Sequence, residues 1–80
     1  MKDIFFVEDD INFGTVLKAY LEMNDFNIEL VNDGKHAVQR FKEGKYVLCI
    51  LDVMLPNVDG FTIAKEIKEI DKNKHLIYSK

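Results

Sequence analysis

Four carboxylates sit where they could do chemistry. Glu8, Asp9 and Asp10 follow the apolar run Ile4-Phe5-Phe6-Val7, and Asp52 closes the run Tyr46-Val47-Leu48-Cys49-Ile50-Leu51. A short apolar run bounded by polar residues reads as a strand buried on both faces, as in a parallel sheet beneath helices. Parallel neighbours bring their C-terminal ends to one edge, and open α/β sheets bind ligands there. If the two strands are adjacent, Glu8, Asp9 and Asp52 converge. Crowded carboxylates repel one another and make poor structural filler. They suit a hard cation held by oxygen ligands.

Such a cluster needs a frame, and the chain alternates elements that supply one. Residues 3–7 read as a first strand. From Ile11 the period changes, and Phe13, Val16, Leu17, Tyr20 and Leu21 form one helical stripe. Asp9 or Asp10 can cap that helix, because a carboxylate accepts from the free amides of its first turn. Residues 27–31 alternate polar and apolar, which fits an edge strand. Asn32-Asp33-Gly34 is turn chemistry, with Asp33 as a cap. Ala37, Val38 and Phe41 face the core from a second helix, which Gly44 ends. Residues 46–51 form the third strand. After a loop around Pro56 and Asn57, a third helix runs from about Gly60 to Ile70, capped by Asp59. Its expected buried stripe is Phe61, Ala64, Ile67 and Ile70. Leu76-Ile77-Tyr78 begins a fourth strand. Strand and helix in strict alternation call for a parallel sheet with right-handed crossovers and helices on both faces.

Bulk composition narrows the function classes. Eighty residues hold one domain, placed at 1–80, with a small core and marginal stability. A net charge of -3 gives no footprint for direct nucleic-acid binding by this segment. No apolar stretch is long enough to span a bilayer, and no signal peptide is evident. Cys49 is the single cysteine. Inside an apolar strand it reads as a buried reduced thiol in a cytoplasmic protein. His36 and His75 have no partner at metal-ligand spacing and read as surface residues.

Two motifs in this order resemble the response-regulator receiver domain of two-component signalling. One is Val7-Glu8-Asp9-Asp10 after the first strand. The other is Leu51-Asp52-Val53-Met54-Leu55-Pro56-Asn57-Val58-Asp59-Gly60-Phe61 after the third, and Leu76-Ile77-Tyr78-Ser79 adds a weaker match. The resemblance implies an α/β, flavodoxin-like (CheY-like) three-layer α/β/α sandwich with strand order 2-1-3-4. It implies that Asp52 accepts a phosphoryl group from a histidine kinase. It implies Mg2+ held by Glu8, Asp9, Asp52 and the backbone carbonyl of Met54, with Asp9 favoured as a direct ligand and a water-bridged role open for Glu8. Ser79 is the one candidate for the hydroxyl that the family places at the end of its fourth strand. Its spacing from Asp52 reads one or two residues short. Asp10 and Asp59 are favoured as caps rather than ligands.

The match covers the whole chain but about the first two-thirds of such a domain. The chain stops before the fifth strand and the active-site lysine that the family carries there. A lone chain is therefore expected to be poorly stable, or to hide its uncovered fourth strand by self-association with another copy. The resemblance implies a regulator of transcription as the parent. It implies no turnover enzyme, only self-phosphorylation and slow self-dephosphorylation. Two other readings stand beside it. A phosphohydrolase of the haloacid dehalogenase type also forms an aspartyl phosphate at a strand end, but wants an Asp two residues on, where Met54 stands. A degenerate receiver would be a phosphorylation-independent interaction module.

Overall fold

A computed structural model describes residues 2–52 and 59–79. Four strands alternate with three helices: β1 (Lys2–Val7), α1 (Ile11–Met23), β2 (Phe26–Val31), α2 (Ala37–Lys42), β3 (Leu48–Asp52), α3 (Gly60–Ile70) and β4 (His75–Ser79). A 3-10 turn, Gly34–His36, leads into α2. The strands form one sheet in the order β2-β1-β3-β4. Every neighbouring pair is parallel. The expected strand order is met, and β2 lies at an edge as its alternating sequence requires.

Alternation along the central strand builds three layers. Phe5 and Val7 of β1 enter one core with Cys49, Leu51, Ala37, Phe41, Ile63, Ala64 and Ile67, beneath α2 and α3. Ile4 and Phe6 enter the other with Ile28, Leu17, Leu21 and Ile50, beneath α1. Phe5 and Phe6 are fully buried, and burying such a side chain stabilises by about 1.5–3 kcal/mol. Cys49 is also buried. Its desolvation pushes the thiol up to about 12, so it is an inert core residue at neutral pH.

Two helical stripes differ from expectation. On α1, Val16 is 69% and Tyr20 62% exposed, and Phe13 is exposed as well. The face toward the sheet is Gly14, Leu17 and Leu21. On α3, Ile63, Ala64 and Ile67 are buried, whereas Phe61 and Ile70 are exposed. Both helices carry apolar residues on more than one face, so periodicity alone does not choose the face that docks. Residues 46–47 also lie before β3 rather than in it. The Tyr46 ring packs instead against Phe5 at 5.0 Å and Phe41 at 5.8 Å.

α1 and α3 are capped as their sequences predict, whereas Asp33 caps the 3-10 turn and α2 itself starts after His36 with no side-chain cap. Asp10 Oδ1 accepts from Phe13 N–H at 3.1 Å, and Asp59 Oδ1 from Phe61 N–H at 3.0 Å. Asp33 Oδ1 accepts from Lys35 N–H at 2.9 Å. These bonds satisfy amides that have no partner within their own helix.

Candidate acidic metal and phosphoryl site

The C-terminal edge of the sheet carries the acids. β1 and β3 are neighbours with Val7 opposite Leu51, so Glu8 and Asp52 are the next residues on each strand. The same parity that sends Ile4, Phe6 and Ile50 under α1 puts both acids on the α1 side. Glu8 is 0% and Asp52 1% exposed. One carboxylate oxygen each from Glu8, Asp9 and Asp52 lies within 4.8 Å of the others.

Local bonds hold Glu8 in place. Its N–H donates to Val31 O at 3.0 Å, which extends the ladder with β2. Its Oε2 accepts from the N–H of Asp10 at 3.1 Å. Asn32 Nδ2 donates to its backbone oxygen at 3.2 Å. Against its other side lies Gly14, where an added Cβ would stand 3.6 Å from Glu8 Cγ. Asn32 and Gly14 escape a reading from sequence. Asn32 looks like turn chemistry before Asp-Gly, and Gly14 looks like a mere weak point in a helix.

Ser79 is the register partner of Asp52. The apparent shortfall in spacing does not keep Ser79 from standing beside Asp52. Its Oγ is buried and makes no hydrogen bond among the described residues. Met54, expected to offer its carbonyl, lies outside the described residues. His36 and His75 are exposed, neither belongs to the acidic cluster, and His36 Nδ1 pairs with Asp33 Oδ2 at 3.0 Å.

The cluster fits a hard cation. Oxygens bound to one Mg2+ at 2.0–2.1 Å stand at most about 4.2 Å apart. Carboxylates already within 4.8 Å reach that spacing by small side-chain rotations. Such a set supplies few protein ligands and leaves room for water, as Mg2+ prefers.

The sequence profile of the response regulator receiver domain matches residues 4–79. The chain belongs to that family. The receiver is 39% identical over 75 residues to the transcriptional regulatory protein RprY of Bacteroides fragilis, covering 94% of this chain and 32% of that protein. It is 39% identical to the transcriptional regulatory protein CssR of Bacillus subtilis, covering 94% and 33%. The receiver thus spans about a third of the length of these curated relatives. Among solved structures it resembles the response regulator TrrA of Thermotoga maritima in complex with Mg2+-BeF. That likeness has a TM-score of 0.92 at 33% identity, covering 98% of this chain and 68% of that one. The same regulator bound to the histidine kinase ThkA gives a TM-score of 0.90 at 33% identity, covering 98% and 67%.

Proposed function

We propose that this receiver accepts a phosphoryl group on Asp52 from the phosphohistidine of a histidine kinase, and does so with Mg2+ at the acidic cluster. The observation that carries this reading is the convergence of Glu8, Asp9 and Asp52 within 4.8 Å at the C-terminal edge of the sheet. An Asp52 carboxylate oxygen attacks phosphorus as the P–N bond to the kinase imidazole breaks. The imidazole leaves with the bonding pair and regains a proton from solvent. Glu8 and Asp9 would hold the metal with Asp52, and the Met54 carbonyl would be the further ligand implied by the family. Mg2+, when bound, offsets the mutual repulsion of the acids and the charge on the transferred oxygens. Ser79, beside Asp52 in register, donates its hydroxyl to the new phosphoryl group. The TrrA structure with Mg2+-BeF supports this reading.

TrrA in complex with ThkA supports a kinase partner. The new group adds about -1.5 to -2 charges, by analogy with other phospho-residues, at an edge that already holds three acids. That charge biases a two-state surface which a regulator of transcription reads out. Slow loss of the phosphoryl group to water resets it. None of the described helices is long and apolar enough to cross a membrane, in keeping with action in the cytoplasm.

Intact-mass analysis after incubation with a small-molecule phosphodonor tests this directly. A gain of one phosphoryl group is expected, dependent on Mg2+ and absent from Asp52→Asn. No gain in a chain that still folds would leave a phosphorylation-independent interaction module as the function.

A further inference from the structure

We propose that Asn32 is a positioning residue for the acidic cluster, fixing the peptide that joins Glu8 to Asp9 from the end of β2. This rests on the reading of Glu8, Asp9 and Asp52 as a cation site. β2 ends at Val31, and the chain turns away into Asp33 and Gly34. The Asn32 carboxamide then supplies the donor that another strand residue would have provided. Its Nδ2 lies 3.2 Å from the Glu8 carbonyl oxygen. The N–H of the same residue is bound to Val31 O at 3.0 Å. Glu8 is thereby held at both backbone groups from one strand end.

The consequence reaches Asp9 through covalent geometry. A peptide unit is planar, so a fixed carbonyl at Glu8 also fixes the amide and Cα of Asp9. Without the Asn32 donor, that plane is free to rock about the Glu8 and Asp9 torsions. The Glu8 side chain cannot follow freely. α1 confines it, since a Cβ on Gly14 would meet Leu30 methyls at 3.3 Å and Glu8 Cγ at 3.6 Å. Rocking therefore moves the two acids relative to each other, and the Glu8 Oε2 bond to Asp10 N–H loosens. Asn32 touches neither the cation nor the acceptor oxygens in this scheme. It acts through the backbone of the acids.

Mn2+ titration followed by electron paramagnetic resonance, on the full chain, tests the idea. Asn32→Ala and the size-conserving Asn32→Leu are both expected to weaken Mn2+ binding about three- to tenfold, the scale of one hydrogen bond. A metal-free readout accompanies it: amide hydrogen exchange at Asp10 is expected to quicken in both variants. Asp33→Ala, which removes the neighbouring cap, should lower the thermal midpoint while leaving Mn2+ affinity and Asp10 exchange unchanged. Wild-type Mn2+ affinity and wild-type Asp10 exchange in both Asn32 variants would overturn the proposal. A wild-type chain that binds no Mn2+ would sink the cation reading instead, and the Asp10 exchange rates would still decide the role of Asn32.

Discussion

The two ends of one sheet treat buried charge in opposite ways. At the N-terminal edge the Lys74 side chain is only 12% exposed, yet it is well partnered. Its Nζ donates to Tyr46 O, lies 3.5 Å from Asp71 Oδ2, and sits 5.9 Å from the Phe41 ring centre. Lys68 Nζ donates to Lys74 O at 2.5 Å and ties down the same loop. Phe5 meets Phe41 edge-on at 5.6 Å just above. At the C-terminal edge, two fully buried acids share a small space with a third of the same sign. One end offsets its charge within the fold. The other concentrates charge that an external cation can offset.

That contrast can be broken at three points. The largest effect is expected at the N-terminal edge. Phe41→Ala removes a buried ring that meets both Phe5 and Tyr46, at a cost of about 3–5 kcal/mol. Denaturant unfolding measures it, and a loss below about 1 kcal/mol would mean the aromatic cluster does not anchor the sheet. At the other end the sign reverses. In metal-free buffer, Asp52→Asn removes one of the crowded charges and should raise stability by about 1 kcal/mol. Saturating Mg2+ should then stabilise the wild type more than the variant, because binding to the folded state alone adds stability.

The smallest effect at neutral pH belongs to Cys49, between the two ends on β3. Burial raises its thiol from 9.0 to about 12. A raised folded value favours the protonated form, so its contribution is fully present below 9.0 and is lost as pH rises toward 12. Stability should therefore fall across that window more steeply in the wild type than in Cys49→Ala. Thiol alkylation near pH 8 should be slow in the native chain. Rapid alkylation without unfolding would show that the sheet interior is open to solvent.

Much of this arrangement is legible in the sequence, and the misses have identifiable causes. Apolar runs of four and six residues announce β1 and β3, because a central parallel strand is buried on both faces. Asp10 and Asp59 announce the starts of α1 and α3 through their own chemistry, and Asp33 announces the 3-10 turn ahead of α2. The docking face of α1 is not legible. The expected stripe of Phe13, Val16, Leu17, Tyr20 and Leu21 is wider than the docked face: Leu17 and Leu21 pack on the sheet beside Gly14, which lies close to Leu30, while Phe13, Val16 and Tyr20 stay exposed. On α3 the choice of Ile63 over Phe61 likewise depends on what lies beneath the helix. The acids were identifiable by type and by strand end. Ser79 was reached only through the resemblance and its spacing read short, because register is set across strands rather than along them. Asn32 was hidden for a similar reason: its partner is 24 positions away in the chain.

The alternation that sends Phe6 and Ile50 to one side of the sheet has a genetic consequence. It works as a parity code. One codon gained or lost within β3 leaves composition, charge and apolar content almost untouched, yet turns Asp52 from the α1 side to the α2–α3 side. The same change in the loop ahead of β3 alters loop length and keeps the parity. Lineages of this domain should therefore tolerate single-residue length variation between elements and exclude it inside β1 and β3, even where every substituted residue remains hydrophobic.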